Sequence, residues 1–599
     1  MYLLDKFGLL RDDPRGVGEE EENQEERRSM GILFPQNLTT KYLYVSESFD
    51  CFDAIGNGMV QKRMLFIAAI CVYIAAVNIH IVPLISTDVG HWCKRPPHSN
   101  VSQADWRNAA IPLDASGKPS QCSMYENPEQ PDNATTVLCL DWEYEERWPR
   151  ESAVTTWNMV CSRQSLIAVM IVVQNFGTAL CVTVAGYLAD RIGRKSVVMP
   201  SLVVMLLSTV ILCVSTAYPV FAATLFFAAG SNAVAMTVAS LILFEVSTHA
   251  NRPLLNVFAS TFGVLSSDLS MAILERAELD WQLRLALFLL PALLVLPAFC
   301  FIDESPRWLV AKSKLPEAKN IMLAAAEVNH FPLSNTMCLL ERLKADIDGP
   351  FGEPTSAEAA MLGKSAIRKH AVIIFTCTFT TLFGYYSTII SPIWEDDPAL
   401  HWFAFGAAVL AYAATNVLIR KVTMLSTIAG LFGLLFGLHC LLSIAIVGAP
   451  VIVSKVLLVV TKVLYVVTAI IVPCYSLELF PTAVRGLTTC CGFGCGVFGA
   501  ASAAMVLLLN LEGRYDIAFA LPALLLFGSL LAMCSLPRTT TVECAKTTVS
   551  SNTATPNTKQ DVELMKKTLA MTMTPGQTTR KSRARLGVKQ VARDRRCSR

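Results

Sequence analysis

The chain has 599 residues, of which 53% are hydrophobic and 16% charged, and its mean hydropathy is +0.45. A soluble protein of that length could not hide so much apolar surface in its own core, so the composition places the chain in a bilayer. The net charge of +2 says nothing about partners, and no phosphate loop, metal-ligand cluster or activated nucleophile points to an enzyme, a cofactor or a nucleic acid.

In chain order, residues 1–63 are polar, with an acidic run from Glu19 to Glu22, and lack the short apolar core and cleavage site of a signal peptide. They predict a cytoplasmic N-terminal segment. Apolar stretches of about 20 residues, enough to cross the hydrocarbon core as helices, then recur about twelve times. They fall near 64–86, 164–188, 197–215, 219–245, 254–274, 284–302, 371–392, 402–419, 422–447, 456–477, 486–509 and 515–536. Backbone groups in lipid must bond within each span, which makes these helices rather than open strands. Lys62 and Arg63 precede the first span, Arg420 and Lys421 fall between the eighth and ninth, and Lys566, Lys567, Arg580, Lys581, Arg583, Arg585, Arg595 and Arg596 crowd the tail. Positive residues favour the cytoplasmic side, so both termini read as cytoplasmic.

That orientation puts loop 87–163 outside the cell, where Cys93, Cys122, Cys139 and Cys161 oxidise. Four cysteines allow three pairings. Asn100-Val-Ser102 and Asn133-Ala-Thr135 are glycan acceptor sequences in the same loop, whereas Asn37-Leu-Thr39 lies on the cytoplasmic side and stays bare.

Between the second and third spans runs GYLADRIGRK, Gly186 to Lys195. Glycines let the chain reverse, Arg191, Arg194 and Lys195 mark the cytoplasmic face, and Asp190 is placed for a neighbouring cation or a helix N-terminus. The turn resembles the loop between helices 2 and 3 of major facilitator superfamily transporters. Glu245 and Arg252 stand seven apart after the fourth span, and Glu478 and Arg485 repeat that spacing after the tenth, an offset of about 230 residues. Ser305-Pro-Arg307 has a weaker echo at Leu536-Pro-Arg538. Two parallel six-helix halves leave such a pattern. The predicted fold is therefore an all-α membrane protein with twelve transmembrane helices: a half at 64–302, a cytoplasmic loop at 303–370 with a surface helix over 311–324, and a half at 371–537. Residues 538–599, rich in Thr, Ser and Lys, predict a disordered basic tail.

Cys139-Leu-Asp-Trp142-Glu-Tyr144 with Thr156-Trp157-Asn-Met-Val-Cys161, Glu304-Ser-Pro-Arg-Trp-Leu309 and Glu478-Leu-Phe-Pro-Thr-Ala-Val-Arg485 narrow the resemblance. With Phe49-Asp50 and Gln61, they make residues 45–538 similar to organic ion transporters, solute carrier family 22. The resemblance implies a plasma membrane carrier of small organic anions, cations or zwitterions, working by alternating access with no cofactor and no bound metal.

Ion pairs between the halves hold the cytoplasmic side of such a carrier closed and break when it opens. Asp190, Arg191, Arg194, Glu245, Arg252, Glu304, Arg307, Glu478 and Arg485 are the candidate gate; the alternative is that each only anchors its helix in the interface. At the turn between the eighth and ninth spans the family's acid and glycine are missing, and Ile419-Arg420-Lys421-Val422 stands there. One half lacks its latch.

Ionisable groups within spans indicate function. Lys462 falls on a basic position of the family's tenth helix, or else snorkels outward. Asp268 lies inside the fifth span, pairing with a cation such as Lys462 or satisfied by Ser266, Ser267 and Ser270. His80 and Asn78 in the first span read either as packing residues or as site residues. Tyr385 and Tyr386 resemble the family's paired tyrosines and offer ring faces to a flat ion. Family members that favour cations carry an acid, and those that favour anions an arginine, at the place where this chain has Val497. The sign of the solute is thus open. Gly494, Gly496 and Gly499 match GxGxxG but lie inside an apolar span, where small residues serve close helix packing; Cys490, Cys491 and Cys495 read the same way. The rivals are a proton-coupled sugar or nutrient porter of the same fold, which needs a cavity-facing acid such as Asp268, and a non-transporting receptor or scaffold.

Overall fold

The computed structural model describes residues 54–86, 89–95, 102–113, 119–126, 135–144, 152–249, 251–274, 279–295, 301–348, 364–389, 398–448, 450–508 and 515–536. The acidic N-terminal run, both glycan acceptors Asn100 and Asn133, and the tail 538–599 lie outside the described residues.

Among the described residues, nine helices are long and apolar enough to cross a membrane, and three shorter apolar helices complete the predicted twelve. In the first half these are α1 (Met59–Ile85), α4 (Ser165–Ile192), α5 (Lys195–Val214), α6 (Tyr218–Val246), α7 (Arg252–Leu274) and α8 (Trp281–Leu289), the last continued by a 3-10 turn over Leu290–Val295. In the second half they are α12 (Lys364–Ile389), α13 (Pro398–Leu418), α14 (Met424–Gly448), α15 (Val451–Leu479), α16 (Arg485–Leu508) and α17 (Tyr515–Met533). The repeat is visible in the lengths: α6 and α15 both have 29 residues. Each half has its own buried core, and α4 runs along α16 while α7 meets α13 and α15. Smaller apolar clusters bridge the halves, Val182 and Ala233 with Cys490, and Leu241 and Phe244 with Leu477.

The glycines of α16 do what the span predicts. A side chain at Gly494 would run into Thr183 of α4, and one at Gly496 or Gly499 into the backbone of α12 at Thr378 or Phe379. The same helix therefore presses against both halves, with Cys490 buried beside Gly186.

Between α1 and α4 sit the short helices α2 (Gln103–Ala110) and α3 (Ala153–Trp157) and four three-residue strands, β1 (His91–Cys93), β2 (Ser123–Tyr125), β3 (Thr136–Leu138) and β4 (Trp142–Tyr144). β1 pairs antiparallel with β4, and β2 with β3. Of the three pairings open to the cysteines, the structure has Cys93–Cys139 and Cys122–Cys161. The loop is fastened to the first half: Ser152 Oγ donates to the Ile85 carbonyl (3.2 Å) and Trp157 Nε1 to the Thr216 carbonyl (2.9 Å). This is the loop end of the molecule.

The connection between the halves differs from the single helix expected over 311–324. It holds α9 (Pro306–Ala311), α10 (Leu315–Val328) and α11 (Leu333–Asp348). Ser313 adopts a positive φ of 62°, which a helix interior does not allow, so the chain breaks there and the next helix starts at Leu315. These helices close a separate apolar cluster with Ala54 and Ile55 from ahead of α1. Asn329 knits it together, accepting from the Val60 N–H (2.9 Å) and donating to the Ile55 carbonyl (2.8 Å) and Gln61 Oε1 (3.1 Å).

Candidate functional site

At the end opposite the loop, charge is concentrated where the halves meet. Glu245, one residue before the end of α6, is fully buried. It accepts a forked pair of bonds from Arg194, Nε to Oε2 at 3.2 Å and Nη2 to Oε1 at 3.1 Å, and a third from Arg485 Nη1 at 3.3 Å. Arg194 belongs to the first half and Arg485 to the second. A planar guanidinium gripping a carboxylate through two bonds is both strong and directional. Arg194 also donates to the Thr482 carbonyl across the interface (2.9 Å), and lies 3.2 Å from Asp190 Oδ1.

Asp190 itself reaches over. Its carboxylate accepts the backbone N–H groups of Gly486 (3.1 Å) and Leu487 (2.7 Å), the second and third residues of α16. The first N–H groups of a helix have no partner inside it and carry partial positive charge, so an acid placed there is held twice over.

Glu304 does the same for α5. It accepts from the backbone N–H groups of Arg194 (2.9 Å) and Lys195 (3.1 Å). Burial pushes its carboxyl above the ordinary range, against the downward pull of these donors. Gly193 makes room: it has φ 114°, and a Cβ there would collide with Glu304. Ser305 caps α9 by accepting the Trp308 N–H (3.2 Å), and Trp308 Nε1 donates to the Asp190 carbonyl (3.2 Å). Arg307 is buried in the same motif. Gln61 joins the start of α1 to this region, its Nε2 donating to the Val246 carbonyl at 3.2 Å.

The chain turns between α6 and α7, and Arg252 Nε donates to the Ser247 carbonyl (3.2 Å) while its guanidinium lies over Phe244 (5.5 Å), whose ring also faces Arg485 (5.3 Å). Arg191 points away and stacks on Tyr187 (4.9 Å).

Glu478, the repeat of Glu245, is placed differently. Arg252 is the cation whose field reaches it across the interface, but its Oε2 is shut off from solvent without a hydrogen bond. The residue just ahead of α14 is Thr423, where the residue just ahead of α5 is Arg194. Ile419 replaces Asp190, and Pro253, which has no N–H to give, replaces Gly486.

Toward the middle of the molecule the halves line a cavity of about 200 Å³. Its walls differ. The first half contributes five side-chain carboxamides, Asn78, Gln174, Asn175, Asn232 and Asn256; the second contributes Tyr385, Tyr386, Phe493, Val466, Ile470 and Val497 among others. Tyr386 and Asn175 line it from opposite halves. No Asp, Glu, Lys, Arg or His is among the lining residues. Asp268 and Lys462 stand one helical turn further toward the loop end than the lining residues Val264 and Val466, close enough to interact electrostatically. His80 follows the lining residue Ile79 and lies 3.4 Å from the Tyr385 hydroxyl. Tyr385, Tyr386 and Val497 thus line the cavity, and the ionisable pair rims it. The sequence reading passed over Gln174, Asn175, Asn232 and Asn256, whose signal was carboxamides buried within spans.

A sequence model of sugar (and other) transporters matches residues 120–574. The chain belongs to this family. Within it the chain is a member of the organic ion transporter group, solute carrier family 22, of the major facilitator superfamily. It is 28% identical over 456 residues to solute carrier family 22 member 13 of Homo sapiens, covering 72% of this chain and 78% of that protein. It is 25% identical over 447 residues to organic cation/carnitine transporter 2 of Homo sapiens, covering 69% and 76%. Among solved structures, the proton:xylose symporter XylE bound to 6-bromo-6-deoxy-D-glucose superposes with a TM-score of 0.56 at 15% identity, covering 80% of this chain and 97% of that one. That likeness concerns the fold.

Proposed function

We propose that this family member carries small organic ions across the plasma membrane by alternating access, binding them in the cavity between its halves, and that it performs no covalent chemistry. The observation that supports this reading best is a cavity between two repeated halves, with Glu245 at the charged end ion-paired to Arg194 of its own half and Arg485 of the other. Glu245, Arg194, Arg485 and Asp190 act as the gate, and basic residues around it place that end in the cytoplasm with both termini. Glu304, Arg307 and Arg191 position the gate rather than cross it. The disulfide-linked loop then faces outward, where Asn100 and Asn133 accept glycans.

The rival proton-coupled porter requires an acid in contact with the solute, and Asp268 is not among the lining residues. Asp268 and Lys462 instead form the outer rim.

Uptake of a labelled organic anion and a labelled organic cation, measured in parallel in cells, tests the proposal. The wild type moves at least one of them saturably. Val497→Arg and Val497→Asp shift the anion-to-cation ratio in opposite directions by about tenfold, equivalent to about 1.4 kcal/mol. Surface-localised protein that moves neither ion would contradict it.

A further inference from the structure

The two disulfides of the loop stand in different chemical settings. Cys93 and Cys139 are buried, at 1% and 7% exposure, in the core of the first half among Trp92, Trp106 and Trp142. Trp106 Nε1 donates to the Cys93 carbonyl there (3.0 Å). Cys122 and Cys161 are only half-buried, flanked by the exposed residues Gln121 and Ser162 respectively. A ring nitrogen of His91 lies within 4.8 Å of both of their sulfurs. With the bond closed neither sulfur is a thiolate, so the three residues do not make a metal site. They make a setting for thiol–disulfide exchange.

His91, on β1, is itself buried. Its Nδ1 lies 2.9 Å from the Val89 carbonyl, which only accepts, so Nδ1 carries the hydrogen of the neutral ring. Nε2 then turns its lone pair to Cys161 Sγ, 3.7 Å away, and the ring lies 6.1 Å from that of Tyr144. A proton taken up at Nε2 therefore faces one sulfur of the bond. Another neighbour of Cys161 Sγ is the Gln121 carbonyl at 3.5 Å, an oxygen that repels a thiolate and accepts from a thiol. Cys161 accordingly departs easily only as its sulfur is protonated, and His91 is placed to deliver that proton. Cys161 is also held at φ 51°, a conformation unfavourable for residues other than glycine, so release of its sulfur lets the backbone relax.

We propose that Cys122–Cys161 is an exchangeable disulfide, at which small thiols of the glutathione or cysteine class attack Cys122. The incoming thiolate bonds to Cys122 Sγ, the bond between Cys122 and Cys161 breaks, and its electron pair leaves on Cys161 Sγ, which takes the proton from His91 Nε2. The incoming sulfur is oxidised to a mixed disulfide and Cys161 is reduced to a thiol, with no further oxidant or reductant. The exchange happens to the protein and not to its solute, and it is independent of the transport reading. It unties Cys122, just ahead of β2, from Cys161 at the head of α4, while Cys93–Cys139 keeps the loop on the first half.

Mass spectrometry of the purified full-length protein tests this. Free thiols are first blocked with N-ethylmaleimide, reduced glutathione is added, and newly formed thiols are trapped with iodoacetamide at intervals. In the wild type glutathione appears on Cys122 and the trapping group on Cys161, about tenfold or more faster than either label appears at Cys93 or Cys139. His91→Phe keeps a ring against Tyr144 but has no proton to give. It slows exchange at Cys122 about tenfold or more and leaves Cys93–Cys139 unchanged. A histidine that only packed would give the opposite sign, since its loss loosens the loop and speeds opening. Glutathione on Cys161 instead of Cys122, or equal rates at the two disulfides, overturns the proposal on the wild type alone. Opening in His91→Phe as fast as in the wild type overturns it as well.

Discussion

Glu245 and Glu478 occupy matching places in the two halves and have different surroundings. Glu245 is held by an arginine from its own half and another from the opposite half, while Asp190 beside it grips the start of α16. Around Glu478 the arginine, the aspartate and the backbone donor are replaced by Thr423, Ile419 and Pro253, and one carboxylate oxygen has no bond. The difference teaches that a duplicated fold needs only one of its two latches to be complete. Once the first latch closes the end, the second is free to drift.

The contrast can be broken most severely at Glu245. Glu245→Ala leaves two guanidinium groups buried without their anion, which costs about 3–5 kcal/mol; Glu478→Ala costs about 1 kcal/mol or less, since it removes an acid that is already incompletely bonded. Thermal unfolding of the two variants side by side checks this, and equal losses would erase the asymmetry. Next in size is Asp190→Ala, which strips the acceptor from two helix-terminal N–H groups and costs about 1–3 kcal/mol. Its readout is faster modification of a cysteine reporter introduced at the charged end. Ile419→Asp rebuilds at most half of the mirrored latch, because Pro253 has no N–H to offer and only Leu254 beside it can donate; the reporter rate stays within about twofold of wild type. Smallest is Thr423→Arg, which supplies Glu478 with a cation of its own half and stabilises the closed state by about 1 kcal/mol, seen as a raised melting temperature and slower uptake.

The latch was legible because its parts are charged residues in short, apolar-flanked turns: GYLADRIGRK, the Glu304 motif, and the acid and arginine repeated after α6 and α15. The missing second latch was equally plain at Ile419. Pairing was less legible. Spacing along the chain marks Glu245, Arg252 and Arg485 as gate residues without saying which cation meets which acid, and it is the packing of α4 against α16 that brings Arg194 and Arg485 together on Glu245. Connecting helices were blurred because Ser313 gives no sequence signal for its positive φ. The carboxamide wall escaped notice because Asn and Gln carry no charge, and a single one within a span is ordinary. What distinguishes these is convergence from four helices of one half, which sequence separation hides.

Distances between spin labels at both ends of the molecule test the account most directly. One pair, at Ile192 and Arg420, spans the halves at the charged end; another, at Val214 and Val451, spans them at the loop end. The account predicts that Glu245→Gln lengthens the first distance and shortens the second, as two halves rocking about a central cavity require. An unchanged charged end, or lengthening at both ends together, would contradict it.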